Sequence, residues 1–468
     1  MPSFDATIVA IATPPGEGGV GIVRLSGGDA LSIARALFTP AKPGAELLSH
    51  RLVHGTIREP ATRAVLDDCL VCYMAGPRTY TGEDVVELHC HGSPVLLQHV
   101  VGCCLQCGAR AAERGEFTLR AFLNGRLDLA QAEAVINLVR ARTATAVQVA
   151  AQGLTGALAR RLEPVTQTIT GVLAYLEATI DFVEEGLPEQ AAPRLAAELD
   201  GTSQELTALL RRATHGAILR DGVRVVLAGR PNVGKSSLLN ALLRRDRAIV
   251  TPVPGTTRDT LEEPADIHGL PMYLIDTAGI TDTGDLVERI GVERARAAVE
   301  TAALVVLIVE AGSAVSRDDV QAASAIRTVA QRAPMLLVMN KADLAPAARG
   351  EAFDLLFSAD WRPREVIRCS ALTGQGLAEL EDALARMALG NEALDAEETL
   401  VETARQVQAL REAEAALGKA LEGLRTERIV ELVCIDLRTA LESLGSVTGM
   451  NVSEAVLDRI FSDFCIGK

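Results

Sequence analysis

The sequence predicts a multidomain α/β protein: an N-terminal α+β domain, a central all-α helical domain, and a doubly wound, mostly parallel sheet domain inserted into the helical one. Three observations predict it. Between residues 221 and 385, apolar runs of strand length alternate with helical stretches, the pattern of repeated βα units. Stretches rich in Ala, Leu, Gln, Glu and Arg, with apolar residues at helical spacing, flank that block on both sides. The chain of 468 residues also exceeds what one ordinary core accommodates.

Hydrophobic residues at 48% and charged residues at 23% place the chain among globular proteins. One Trp and four Tyr argue against base-stacking platforms as the main binding device. A net charge of −15 is unfavourable for direct nucleic-acid binding, so a local basic patch or a partner would have to carry any such surface. Residues 1–14 lack a basic segment and a long apolar core, so they do not read as a signal peptide. No run reaches transmembrane length, and the expected location is the cytoplasm.

Residues 1–119 read as mixed α/β. Thr7–Ala12, Val20–Leu25, Leu70–Met74 and Val85–Cys90 have strand length, and Ala30–Phe38 and Val95–Cys107 have helical length. Two Cys-x-x-Cys pairs occur among the nine cysteines. Cys69 and Cys72 fall on a strand and so point to opposite faces, which argues against zinc. Cys103, Cys104 and Cys107 fall in a helix, where thiols pack as small hydrophobes. His89 and His91 would share a strand face, but no third metal ligand is evident.

Residues 120–220 and 386–468 share a helical character. Leu127, Leu129, Ala132, Val135, Ile136 and Val139 form one stripe, and Val165, Ile169, Val172, Leu173 and Leu176 another. Pro164 and Gly186-Leu-Pro188 are expected to break the helices. The stripe returns at Val407, Leu410, Ala413, Leu417, Leu421 and Leu424, then in Ile429–Leu444. Such stripes must be buried, and one domain built from both flanks is the economical arrangement.

In residues 221–385, strands are predicted at Val223–Ala228, Met272–Asp276, Leu304–Val309, Met335–Met339 and Val366–Cys369. Helices are predicted at Ser237–Leu243, Gly291–Thr301 and Leu377–Met387. Gly229-Arg-Pro-Asn-Val-Gly-Lys-Ser236 lies between the first strand and its helix, the context that a phosphate-binding loop needs. Backbone N–H groups from Asn232 to Ser237, with Val233 and Gly234 between them, would cradle phosphates. Lys235 would reach the β- and γ-phosphates, and Ser236 would ligate magnesium. Asp276-Thr-Ala-Gly279 ends the second strand, where the carboxylate can hold magnesium through water and Gly279 can approach the γ-phosphate. Pro254-Gly-Thr-Thr-Arg-Asp259 lies between them, and its Thr257 suits a switch that ligates magnesium only with the γ-phosphate present. The Asn340-Lys341-Ala-Asp343 carboxylate can accept both N–H groups of a guanine edge, and the Ser370-Ala371-Leu372 backbone can meet the guanine carbonyl. Together these elements read as a Ras-like GTPase. Ile280, however, stands where Ras-like enzymes carry the glutamine that orients water, leaving Asp282, Asp285 and Glu288 as nearby candidates.

The motif set resembles the tRNA-modification GTPase family called MnmE or TrmE. It includes the phosphate loop, the 254–259 loop, Asp276-Thr-Ala-Gly279 and Val287-Glu-Arg-Ile-Gly-Val-Glu293. Tyr80-Thr-Gly-Glu-Asp-Val-Val-Glu-Leu-His-Cys-His-Gly92, Gly115-Glu-Phe-Thr-Leu-Arg-Ala-Phe-Leu-Asn-Gly-Arg-Leu-Asp128 and Phe464-Cys-Ile-Gly-Lys468 extend the resemblance to essentially the whole chain. It implies a homodimer closing through its GTPase domains and activated by potassium, with Asn232, Thr251, Val253 and Thr256 as ligands. Thr256 also belongs to the nucleotide site, Glu288 falls on the family's catalytic glutamate, and Arg258 would help hold the switch.

The resemblance further implies a folate-binding-like N-terminal domain that also dimerises. It would hold 5-formyl- or 5,10-methylene-tetrahydrofolate through Arg24, Glu87, Arg126 and Lys468. Arg126 departs from the lysine usual there, and the two are not interchangeable at a point contact. Cys465 matches a near-terminal cysteine, a candidate for a mechanistic role. An MnmG (GidA)-type partner carrying FAD would join in a heterotetramer acting on carbon 5 of the tRNA wobble uridine, adding an aminomethyl or carboxymethylaminomethyl group. The alternative is a translation-linked GTPase switch for RNA or ribosome assembly without folate chemistry. Such proteins usually append a basic RNA-binding module, whereas this chain is acidic.

Overall fold

Alternation of apolar and polar residues builds one sheet near the N-terminus, and continuous apolar runs build another in the middle of the chain. The computed structural model describes residues 5–181, 191–245, 262–276, 302–330, 333–344, 356–357, 361–390, 392–426 and 429–468. They divide into two units. One takes Met1–Ile136, Leu154–Ala196 and Ala415–Lys468; the other takes Asn137–Gly153 and Ala197–Glu414.

In the first unit the sheet strands are β1 (Ile8–Ile11), β2 (Gly18–Ser26), β3 (Phe38–Pro40), β4 (Arg51–Arg58), β5 (Val65–Met74), β6 (Val85–Gly92) and β7 (Arg110–Ala111). Their order is β3-β4-β5-β6-β2-β1-β7, antiparallel throughout except for the short β1–β7 pair. Helices α1 (Ala30–Leu37) and α2 (Pro94–Gln106) cover one face. Ser93 caps α2, with Pro94 at its first position, a favoured start. Val23 and Leu25 of β2 and Val86, Leu88 and Cys90 of β6 enter that core. Their period of two leaves Arg24, Glu87 and His89 on the opposite face.

Cys69 and Cys72 lie on β5, with Cys69 buried. Cys103 and Cys104 are buried on α2, and burial pushes the Cys104 thiol up to about 12. Strand β4 was not anticipated, because Gly55 interrupts its pattern; a β-carbon there would overlap Phe38 and the Thr39 carbonyl. Helix α3 (Glu116–Leu123) was missed too: it starts at Gly115, at φ +68, with no side-chain cap to announce it.

Among the described residues seven helices flank the second sheet in sequence: α4 (Leu129–Arg140), α5 (Ala144–Leu154), α6 (Ala157–Asp181) and α7 (Ala191–Asp221) before it, and three more, described below, after it. Pro164 does not break a helix as expected but sits inside α6. Its ring faces solvent, and the buried stripe of Leu162, Val165, Ile169, Val172 and Leu176 runs past it, so packing outweighs the missing hydrogen bond. Gly186-Leu-Pro188 lies outside the described residues. The stripe on α4 is buried up to Ile136, but Val139 is 51% exposed.

After the second sheet come α11 (Ala404–Arg425), α12 (Val430–Thr448) and α13 (Glu454–Ser462), numbered to follow the helices of the second unit. Within the first unit α12 packs along α6, with Arg438 Nη2 2.6 Å from Glu177 Oε1. Phe461 and Phe464 close a small core against Leu129, Ala132 and Val135.

The second unit holds β8 (Val223–Ala228), α8 (Lys235–Arg245), β9 (Glu262–Ile267), β10 (Leu270–Asp276), β11 (Leu304–Glu310), α9 (Arg317–Val329), β12 (Met335–Asn340), β13 (Glu365–Arg368) and α10 (Leu377–Leu389). The sheet order is β13-β12-β11-β8-β10-β9, parallel except for the β9–β10 hairpin, whose edge strand was not predicted. Both faces are buried in separate apolar clusters, which explains why these strands read as unbroken apolar runs. Ala146 and Val149 of α5 join one of those clusters. The predicted helix Gly291–Thr301 lies outside the described residues. No helix among the described residues is long and apolar enough to cross a membrane.

Candidate functional site

The chain passes from β8 into α8 through residues 229–234. Gly229 (φ +153), Asn232 (φ +65) and Gly234 (φ +95) take left-handed backbone. A β-carbon at Gly229 would overlap the Ile308 carbonyl, and one at Gly234 would overlap the Asn340 amide, so close approach demands glycine at both. Lys235 Nζ donates to the Gly229 and Arg230 carbonyls at 2.9 and 3.1 Å, which holds the ammonium across the loop. Burial pulls the Lys235 pKa down, and the Asp276 carboxylate opposes that. Ser236 Oγ donates to Asp276 Oδ2 at 2.7 Å, joining the first turn of α8 to the end of β10. A cavity of about 830 Å³ opens over the loop, lined in part by Asn232, Lys235, Ser236, Gln321 and Lys341. Loop N–H groups, a helix N-terminus and a lysine there make an anion site.

The next two predicted elements converge on that loop. Asn340 ends β12 and is 2% exposed. Its Nδ2 donates to the Val233 carbonyl at 2.8 Å, and its Oδ1 accepts from the Ala371 N–H at 3.1 Å. One amide thus ties the phosphate loop to residues 370–372. Ser370 is buried, and its Oγ accepts from the Thr373 N–H. Lys341 (φ +62) is half-buried, while Asp343 and Leu372 are exposed. Thr251, Val253, Thr256, Thr257, Arg258, Gly279, Ile280 and Glu288 lie outside the described residues.

A second polar cluster forms in the first unit. Arg24 on β2 and Glu87 on β6 are register partners. Arg24 Nε donates to Glu87 Oε1 at 2.9 Å, and Nη1 donates to the Gly467 carbonyl at 3.4 Å. The guanidinium also lies 5.7 and 5.8 Å from the centroids of the Tyr80 and Phe117 rings. His89 Nε2 is 3.2 Å from Glu87 Oε2. The hydrogen bond from His89 and the charge of Arg24 hold the Glu87 carboxyl down at about 2, against the effect of burial.

Burial, and then the nearby Arg24, lower the Lys468 pKa. Gly467 (φ +97) lies so close to Ile11 that a β-carbon would overlap its carbonyl. The structure thus brings Arg24, Glu87 and the 467–468 segment together. Arg126 is tied elsewhere, its Nε donating to the Thr79 carbonyl at 3.0 Å, one residue before Tyr80. Cys465 is exposed. Sequence reasoning missed His89, Tyr80 and Phe117 as parts of this cluster. The period of two on β6, which puts His89 on the face of Glu87, was the available signal for the histidine.

Comparison with known proteins shows what this chain is similar to. The family model described as "GTP-binding protein TrmE N-terminus" matches residues 7–126, and that described as "MnmE helical domain" matches residues 129–465. Proteins named tRNA modification GTPase MnmE align along the whole chain. The one from Synechococcus sp. (strain JA-3-3Ab) is 46% identical over 468 residues, covering 99% of this chain and 98% of that protein. The one from Symbiobacterium thermophilum is 46% identical over 467 residues, covering 99% and 100%. The one from Heliobacterium modesticaldum is 44% identical over 469 residues, covering 99% of each. The N-terminal and helical matches meet almost end to end, and the chain belongs to the MnmE/TrmE family of tRNA modification GTPases.

Proposed function

We propose that this protein is a GTP hydrolase acting in tRNA modification, a potassium-activated GTPase whose cycle drives folate-dependent change at carbon 5 of the wobble uridine. The observation that carries the GTPase reading is the buried Asn340 amide, which joins the phosphate loop to the 370–372 segment. The loop orients Lys235 toward the β- and γ-phosphates, and its N–H groups bind the phosphate oxygens. Asp343 accepts from the guanine edge, Ala371 and its neighbours meet the carbonyl, and Lys341 lies beside the base.

Ser236 and Thr257 would hold magnesium, with Asp276 behind them; the Ser236–Asp276 contact fits that donor set. Asn232, exposed at the loop rim, would hold potassium together with Thr251, Val253 and Thr256. When bound, that ion supplies the positive charge that an arginine finger supplies elsewhere. Glu288 positions the attacking water and Arg258 holds the switch. The Arg24–Glu87 pair, Lys468 and Arg126 would hold a tetrahydrofolate, which when bound would supply the one-carbon unit for the modification. The paired charges, the half-buried lysine and the two aromatic rings fit a flat, charged ligand. The protein would act in the cytoplasm as a homodimer with an FAD-bearing MnmG-type partner.

We also infer a helical domain from residues 120–220 and 386–468, interrupted by the GTPase block at 221–385 and preceded by a folate domain at 1–119. Packing of α6 on α12 supports it, as does the helical family match, whose span encloses the second sheet. The test has two arms. GTP hydrolysis is measured in potassium and in sodium buffers, and equal rates would reject potassium activation. Nucleosides are analysed in tRNA from a deletion strain, and unmodified wobble uridine is the expected result; an unchanged pattern rejects the role.

A further inference from the structure

Glu310 is the last residue of β11 and pairs in register with Asn340 of β12. Its Oε2 accepts from Arg230 Nη2 at 2.9 Å and lies 3.3 Å from Lys341 Nζ. Arg230 belongs to the phosphate loop, and its carbonyl accepts from Lys235 Nζ. The other side of the same guanidinium meets α9: Nε is 3.1 Å from Asp319 Oδ1, while Asp319 Oδ2 accepts from the Ser316 N–H in the capping box of that helix. Glu310, Arg230 and Lys341 are all partly buried, with side chains 25, 22 and 31% exposed.

We propose that Glu310 is a positioning residue for nucleotide recognition: its carboxylate fixes Lys341 against the phosphate loop and holds Arg230 in place, so that the base and phosphate ends of the site are set together before nucleotide arrives. This rests on the GTPase reading above and deepens it. A lysine side chain is flexible, and holding it in its binding rotamer removes an ordering cost from the binding step. The alternative makes the opposite prediction. A carboxylate near a polyanion is repulsive, so if Glu310 acted only as a charge, removing it would tighten nucleotide binding.

The test titrates the full-length chain with N-methylanthraniloyl GDP and GTP. Steady-state hydrolysis is followed in parallel, and the melting of Trp361 fluorescence serves as the fold control. In E310A both nucleotides bind about tenfold more weakly while kcat stays within about twofold, the signature of lost ground-state positioning. E310Q, which keeps the volume, moves the same way and decides the matter if E310A melts early. The E310A/K341A double variant loses less than the two single losses combined, because the two residues share one contact while Glu310 also holds Arg230. Unchanged or tighter binding in E310A and E310Q overturns the proposal, as do losses that add in the double variant. If the unaltered chain binds neither nucleotide, the GTPase reading falls first.

Discussion

Replacing Asn340 by alanine should loosen the site from beneath. Its amide is 2% exposed and satisfies two backbone groups, the Val233 carbonyl and the Ala371 N–H. Leaving a buried polar group unpaired costs roughly 1–3 kcal/mol, so losing both partners costs about 2–6 kcal/mol. In a unit of this size that lowers the melting temperature by roughly 5–20 °C. The sole tryptophan, Trp361, lies 6% exposed in the apolar cluster on one face of the second sheet, so its fluorescence reports this unit. N340D is a sharper variant. It keeps an acceptor for Ala371 but turns a carboxylate oxygen toward the Val233 carbonyl, and it should destabilise as much. A Trp361 transition within about 1 °C of the unaltered chain for both variants, where 1 kcal/mol is worth several degrees, would refute the reasoning.

Other outcomes follow from the two sites. K235A should lose at least about 100-fold in kcat/KM for GTP while Trp361 melts near normally, since the ammonium meets the charge of the reacting phosphates; hydrolysis assays with a melting control decide it. G467A forces a β-carbon onto the Ile11 carbonyl at a left-handed position, and should weaken tetrahydrofolate binding, read by calorimetric titration, without altering GTP hydrolysis. Glu87 is held at about 2, below its ordinary 4.5, so the stability it contributes is full above about 4.5 and is lost as pH falls from there toward 2. Scanning calorimetry between pH 6 and 3 should show a steeper loss for the unaltered chain than for E87Q; parallel curves would contradict the pairing.

Much of this was legible in the sequence because the signals were local. Gly229–Ser236 announced its own loop, and the apolar strands of the second sheet were found within a residue or two because both faces are buried. The elements that were missed depend on distant contacts. Gly55 hides β4 until Phe38 is seen against it, and Pro164 reads as a helix breaker until the stripe on α6 is seen to pass beneath it. The Arg24 cluster was legible only by resemblance, since no spacing connects Arg24 with Tyr80, Phe117 and Gly467.

The hydrogen bond from Arg24 to the Gly467 carbonyl spans 443 positions of sequence. A ribosome adding about 5–20 residues per second needs roughly 20–90 s to cover that distance. During that time the first sheet can form, but the cluster around Arg24 lacks its Gly467 partner. The phosphate loop, with Asn340 and Ala371 following it, has all its parts far sooner. On the translating chain, nucleotide recognition therefore has the chance to mature before the Arg24 cluster whose first residues emerged earliest, and a nascent chain arrested between the two stages would carry one capacity without the other.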